Sequence, residues 1–558
     1  MQAESSSGWR NSSRSQGSTG PWAGVLLSLA IAGLFAALIP MAFLRNINWD
    51  EFYFLSHIHA WLDGRLDRPM QTFFVHGFGW LTAIPGDEIG QIVAARLVMV
   101  AALVLTCFAI WRMGREIAGA EAAKLAVLAF LCSGFVMAHG SSFRADPIAT
   151  SLLMSALAVM LTSRMGALQI VLVAMLAALA LLVTVKAVLY LPAFLSVLIY
   201  RRSDHGWLLR TLSAGGLALV IAAGLYLWHS AGLAVAAGNE TGANLREAAE
   251  TTLLSGRVLP RSGEMLLWAL LSLPTLVLAV AGFRQPVEAR LLILLAGLTL
   301  PLLCLVIYRN AFPYFFPFIS APLMLAAAFG AKQLQDAPHR PLLVAAMLVL
   351  GFGQTVVALS EGNAAQRATL AEVHRLFGAP VPYIDQHGMV SAFPKQGFFM
   401  STWGLQSYRA AGEPVFAQII AGTRPPLLLA NRHELAQAVI FGDSRPGFLL
   451  PEDQATLKDS YIHHVGAIWL AGRELTGRGV NQPFSMPFPG RYRLEAAASV
   501  QIDGRTVAPG KVIALDGGSH SLLAPSGQRL RLIWATDGGS VTAPALPASG
   551  LYAPFWSL

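Results

Sequence analysis

WAGVLLSLAIAGLFAALIPMAFL, Trp22 to Leu44, followed by NWDEFYFLSHIHAWLDG, Asn48 to Gly64, is the stretch whose reading decides the fold. The first part is apolar throughout and close to the ~20 residues that cross a bilayer. A secretory signal has a shorter apolar core, ~7–15 residues, and a small-residue cleavage site, so Trp22–Leu44 reads as a retained membrane helix. The second part delivers two adjacent carboxylates, Asp50 and Glu51, to the water's edge. An aromatic-rich segment follows that can lie flat at headgroup level.

Composition agrees with a lipid environment. The 558 residues are 55% hydrophobic and 13% charged, against about 25% charged in soluble domains. Further apolar runs at 92–110, 122–138, 148–161, 168–183, 187–199, 212–228, 265–282, 291–307, 312–330 and 341–359 bring the expected total to about eleven spans. With the N-terminus inside, the inner loops and their edges carry Arg112, Arg115, Lys124, Arg164, Arg201, Arg202, Arg284, Arg290 and Lys332, as the positive-inside rule requires. The net charge of +8 is then a topology signal. Its cations are spread over loops and form no stripe, so nucleic acid is not an expected partner. Cys107, Cys132 and Cys304 fall in or beside apolar runs and read as small buried residues. Ala- and Arg-rich usage points to a bacterial plasma membrane.

An odd number of spans places everything after Leu359 outside. The expected organisation is a disordered cytoplasmic tail at 1–21, a transmembrane unit at 22–359, an α/β region at 360–480 and a small β domain at 481–558. VPYID (Val381–Asp385) and PPLLLA (Pro425–Ala430) read as strands, and NRHELAQAV (Asn431–Val439) as a capped helix. RYRLEA, SVQIDGRTV and RLRLIWA alternate with period two, and Asp503-Gly504 is a hairpin signal. A small β-sandwich, faintly like a carbohydrate-binding module, is one reading of this end; a packing domain is the other.

Ionisable residues at membrane depth usually have a role. Five places on the expected outer side carry them. Asp50-Glu51 precedes Tyr53, His57 and His59. SSFRADP holds Arg144 and Asp146. Lys186 lies in a short turn, Arg309 opens a Pro-broken helix entry, and Arg246 sits in the long loop Ser230–Glu264. Each has a bland counterpart: the acids as helix caps, Lys186 as a snorkelling side chain, Arg309 as a headgroup anchor, the long loop as disorder. Together they describe carboxylates on early outer loops and cations on later ones. Group transfer from a lipid-linked phosphate needs both: cations for the phosphate, and a carboxylate to take a proton from an acceptor hydroxyl.

At these residues the chain resembles the GT-C superfamily of membrane glycosyltransferases, in the branch holding aminoarabinose transferases, protein O-mannosyltransferases and rhizobial galacturonosyltransferases. The likeness lies in four features: Asp50-Glu51 after the first helix with an aromatic helix and Gly64; the R-x-D motif Arg144-Ala145-Asp146; Lys186 with Pro192; and Arg309, Tyr314 and Pro317 at a late helix. The resemblance implies inverting transfer from a polyprenyl-phosphate sugar to an extracytoplasmic acceptor, which is lipid A, a cell-surface glycan or a protein. It implies Asp50 as catalytic base and Asp146 as the second acid. Glu51, Tyr53 and His57 would line the acceptor end, and Arg144, Lys186, Arg309 and Arg246 would hold the donor phosphate. Some relatives use a divalent cation and others do not. His57 and His59, two apart, do not face each other on a helix, so no cofactor is expected to be required. The rival reading is a flippase or transporter of lipid-linked sugars, which would place its charges at the bilayer midplane in related repeats.

Overall fold

The computed structural model describes residues 22–67, 73–234, 258–284, 288–441, 449–538, 545–548 and 550–553. The expected tail at 1–21, Arg246 and most of the 230–264 loop lie outside them.

The apolar runs fold chiefly as helix. Among the described residues six single helices are long and apolar enough to cross a membrane, and two bent pairs, Ser262–Leu271 with Leu273–Arg284 and Pro313–Ser320 with Met324–Gln333, bring the total to eight. The other three runs fold as Ala120–Cys132, Ala167–Val183 and Val185–Tyr200, all shorter than a ~20-residue span. The chain is a multi-pass helical membrane protein. Its lipid-facing surface is explicit on His205–Ala231, where Leu209, Val220 and Leu227 are 68%, 69% and 68% exposed with no protein against them. Where helices cross closely, glycine permits it. A Cβ on Gly330 would come within 1.8 Å of the Leu278 carbonyl oxygen, and one on Gly282 within 2.4 Å of that of Ala326.

After the first helix α1 (Trp22–Leu44) the chain turns into the juxtamembrane helix α2 (Trp49–Leu62). Asn48 starts α2 with a capping box: its side-chain oxygen accepts the Asp50 N–H at 2.9 Å, and Glu51 Oε2 accepts the Asn48 N–H at 2.9 Å. One face of α2, through Phe52, Leu55 and Ile58, is buried in the core shared with the membrane helices.

The outer part carries the expected elements: strands Tyr383–Ile384 and Leu427–Leu429, the helix His433–Phe441, and strands Gly490–Ala496 and Arg529–Trp534. Asp503 and Gly504 (φ 49° and 75°) turn the hairpin between Val500–Ile502 and Arg505–Val507. One sheet runs across the expected 480/481 boundary. Ile468–Thr476 pairs antiparallel with Leu427–Leu429 on one side and with Arg529–Trp534 on the other. The two outer regions therefore share a sheet. A second, four-stranded sheet packs on its far end through Phe484, Tyr492, Ile502, Leu522 and Leu532.

The outer part is pinned to the turn before α2. Arg45 and Gly362 form an antiparallel bridge, and Gln366 exchanges hydrogen bonds with both backbone groups of Ile47 at 2.8 Å.

Candidate active site

The two carboxylates that begin α2 have opposite fates. Glu51 is fully buried. Its Oε1 accepts from Arg96 Nε at 2.7 Å and from the Phe143 N–H at 2.8 Å, and its Oε2 accepts from Arg96 Nη2 at 2.6 Å as well as from Asn48. Arg96 also donates to the carbonyls of Ala42, Arg45 and Asn46. Glu51 is thus a structural anchor and does not line a cavity, contrary to the sequence expectation. Its bond to Phe143 fixes the loop that ends in Arg144.

Asp50 faces the other way, into a cavity of about 440 Å³, within the range of small-molecule sites. Arg144 Nη1 donates to Asp50 Oδ2, and Lys186 Nζ donates to Asp146 Oδ1. Arg144 Nε lies 3.9 Å from Asp146 Oδ2. The result is an alternating row, Asp50, Arg144, Asp146, Lys186, two negative and two positive. The Tyr314 ring lies 3.5 Å from the Arg144 guanidinium carbon, stacked against it. Local structure explains the row. Arg144 caps Ala145–Thr162 from extended backbone (φ −141°, ψ 167°) without a side-chain cap bond, so neither it nor Asp146 is spent on capping. Thr184 caps the turn that carries Lys186, accepting its N–H at 3.3 Å. Lys186 therefore reaches inward to Asp146, and snorkelling is not its arrangement.

The outer part roofs the cavity with Phe399, Ser401, Thr402, Trp403 and Arg432. Ser401 caps the helix Thr402–Ala411, accepting from Gly404 N–H at 3.0 Å. Trp403 Nε1 donates to Asn310 Oδ1 at 2.6 Å, and Glu434 holds Arg432 at 2.7 Å. Sequence reasoning missed this roof. Its residues sit in a loop of ordinary composition, and only tertiary contact brings them over the row.

The remaining expected residues separate. Tyr53 lines the cavity and stacks on Phe399 at 4.5 Å. His57, one turn further along α2, faces a second cavity on the far side of that stack. Arg309 is at the rim, its guanidinium 3.1 Å from the Trp403 ring centre and bonded to Gln406 at 2.8 Å. Among the described residues no group of three or more His, Cys, Asp or Glu side chains converges as a metal site would need.

No family model matches the chain, and no curated protein matches it in sequence. Solved structures do match. ArnT from Cupriavidus metallidurans, bound to undecaprenyl phosphate, superposes with a TM-score of 0.51 at 16% identity, over 72% of this chain and 92% of that one. The chain shares its fold. The Archaeoglobus fulgidus oligosaccharyltransferase, in complex with zinc and sulfate, superposes with a TM-score of 0.50 at 11% identity, over 93% of this chain and 100% of that one. Both likenesses run well beyond the membrane helices, so the outer part belongs to the shared architecture.

Proposed function

We propose that the chain is an inverting glycosyltransferase that moves a sugar from a polyprenyl-phosphate donor to an extracytoplasmic acceptor. The observation that carries the reading is the row Asp50, Arg144, Asp146, Lys186 in one cavity at the outer ends of the membrane helices. The fold shared with a structure bound to undecaprenyl phosphate supports it. The active site and outer part face the periplasm of a bacterial inner membrane, and the eleven runs all cross it.

In this mechanism Asp50 takes the proton of the acceptor hydroxyl as its oxygen attacks the anomeric carbon. The carbon–oxygen bond to phosphate breaks, and polyprenyl phosphate departs with the electron pair. Arg144, a planar fork suited to phosphate, and Lys186 stabilise the charge that develops there. Asp146 orients both cations, lying between them. Arg144 already occupies the place between Asp50 and Asp146 that a bridging metal would take. The reading therefore requires no metal, and the chelated enzyme retains its turnover.

The test is sugar release from radiolabelled polyprenyl-phosphate sugars by purified protein, wild type beside Asp50→Asn. The variant keeps size and hydrogen bonding but cannot accept a proton. Turnover of one donor, lowered about 10²-fold or more by the substitution, is the expected outcome. Equal activity of the two proteins removes Asp50 from its role. Lipid movement without donor consumption makes the chain a transporter.

A further inference from the structure

Behind the Tyr53–Phe399 stack lies the second cavity, of about 200 Å³. One wall is a face of α2, through Ser56, His57 and Ala60. The opposite wall is the outer part, through His387, Lys395 and Phe399. Both cavities share Tyr53 and Phe399, so the second opens toward the row that holds Asp50.

His387 is the anomaly. It is 0% exposed, and neither ring nitrogen has a hydrogen-bond partner. Buried polar groups are nearly always satisfied, and one that is not asks for an explanation. Loose backbone is not the explanation. Asp385 accepts the N–H groups of His387, Gly388 and Met389 at 3.0, 2.8 and 2.8 Å, which fixes the loop. Gly388 has φ +104°, and a Cβ there would lie 2.8 Å from Ser56, so the loop is pressed onto α2. The imidazole sits among the rings of Tyr552, Phe52 and Phe399, 4.8, 6.0 and 6.4 Å away between centres. Burial, then the charges of Lys395 and Arg432, holds it well below the ordinary histidine value. It is therefore neutral, with one nitrogen to donate and one to accept.

A neutral donor–acceptor pair beside aromatic faces is complementary to a sugar ring. Vicinal hydroxyls both donate and accept, and the C–H face of the ring packs on an aromatic. We propose that this cavity binds a saccharide residue of the acceptor, with His387 as its hydrogen-bonding anchor. The inference rests on the transferase reading above and names its acceptor class: a glycan, in preference to a peptide or a bare lipid. The seated sugar presents a neighbouring hydroxyl past Tyr53 to Asp50, one helical turn away on α2.

The test is saturation-transfer NMR on the full-length protein in detergent, without donor. The probes are the methyl glycosides of glucose, galactose, mannose and N-acetylglucosamine. At least one gives a signal with wild type. That signal falls at least tenfold in His387→Phe, which keeps the packing, and in Ala60→Trp, which fills the cavity from α2. The melting temperature of His387→Phe does not fall, because the ring nitrogens make no bond to lose; a structural role would lower it. If His387→Phe does not fold, Ala60→Trp decides. No signal from any glycoside, or a signal that survives the substitutions, overturns the proposal. Donor turnover by wild type is measured separately. A protein that binds glycosides through His387 and consumes no donor keeps the cavity assignment and loses the transferase. One that consumes donor while glycosides ignore His387 keeps the transferase and loses the cavity assignment.

Discussion

Replacing Asp50 or Glu51 by its amide makes the same chemical change at adjacent positions, and the structure assigns the two opposite consequences. The Glu51 carboxylate accepts four hydrogen bonds, two from Arg96 and two from backbone N–H groups. In Glu51→Gln one oxygen becomes an NH₂ that meets donors, and Arg96, 3% exposed, is left buried without its counter-charge. Breaking one side of a buried pair costs about 3–5 kcal/mol. That is a large part of the ~5–15 kcal/mol that holds a typical protein folded. Asp50 has one printed partner, Arg144, which keeps Asp146 and the Tyr314 ring when Asp50 is neutralised. Its loss costs about 1 kcal/mol, as for an ordinary hydrogen bond. Asp50→Asn therefore melts near wild type while its turnover falls about 10²-fold. Glu51→Gln melts far lower, or yields little folded protein. Intrinsic fluorescence during heating, run beside donor turnover on the same detergent preparations, reads both axes. A Glu51→Gln protein as stable as wild type refutes the anchor assignment, and with it the argument that only one of the two acids is catalytic.

Other expectations follow from the same contacts. Lys186→Met leaves Asp146 without its second cation and weakens hold on the leaving phosphate. Donor turnover falls about 10-fold or more while acceptor affinity is unchanged, as a double titration would show. Trp403→Ala removes the platform under Arg309, a cation–π contact worth about 0.5–2 kcal/mol; the donor KM rises several-fold. In the outer part Glu372 is held below the usual carboxylate range, first by its hydrogen bonds from Arg375 and also by His464. A lowered folded value contributes stability above the unfolded value and loses it as pH falls through the folded one. Glu372→Gln is thus less stable than wild type at pH 7, and the gap closes below about pH 4. Equal melting temperatures at pH 7 contradict this.

The parts of the site that stood out in the sequence did so because charge in apolar surroundings is conspicuous. Asp50, Arg144, Asp146 and Lys186 each interrupt or border an apolar run, and the structure gathers all four. Asp50 and Glu51 could not be told apart, since both occupy the first turn of α2 and suit its N-terminus equally. What separates them is Arg96, which lies inside the apolar run 92–110. A cation there signals a buried partner by the rule applied to the loops, and it went unused because the run was read as a span. Trp403 and Arg432 were illegible for another reason: nothing local distinguishes them, and they reach the cavity through contacts about 90–250 positions away in sequence. Helix ends followed composition, but span number did not, because a kinked or short helix has the same apolar content as a straight one.

The clasp on the turn before α2 has a consequence in time. Asn46 donates through Nδ2 to the Leu551 carbonyl and accepts the Ala553 N–H through Oδ1, at separations of 505 and 507 residues. Tyr552, between them, packs its ring on Trp49 and Phe52 of α2. At about 5–20 residues per second, a ribosome takes roughly 25–100 s to travel from one side of this clasp to the other. For all of that interval α1 is already made and the helix bearing Asp50 has no latch. A newly inserted chain therefore passes through a long immature period, surrounded by membrane lipid, with its proton acceptor not yet aimed. Competence arrives with residue 553.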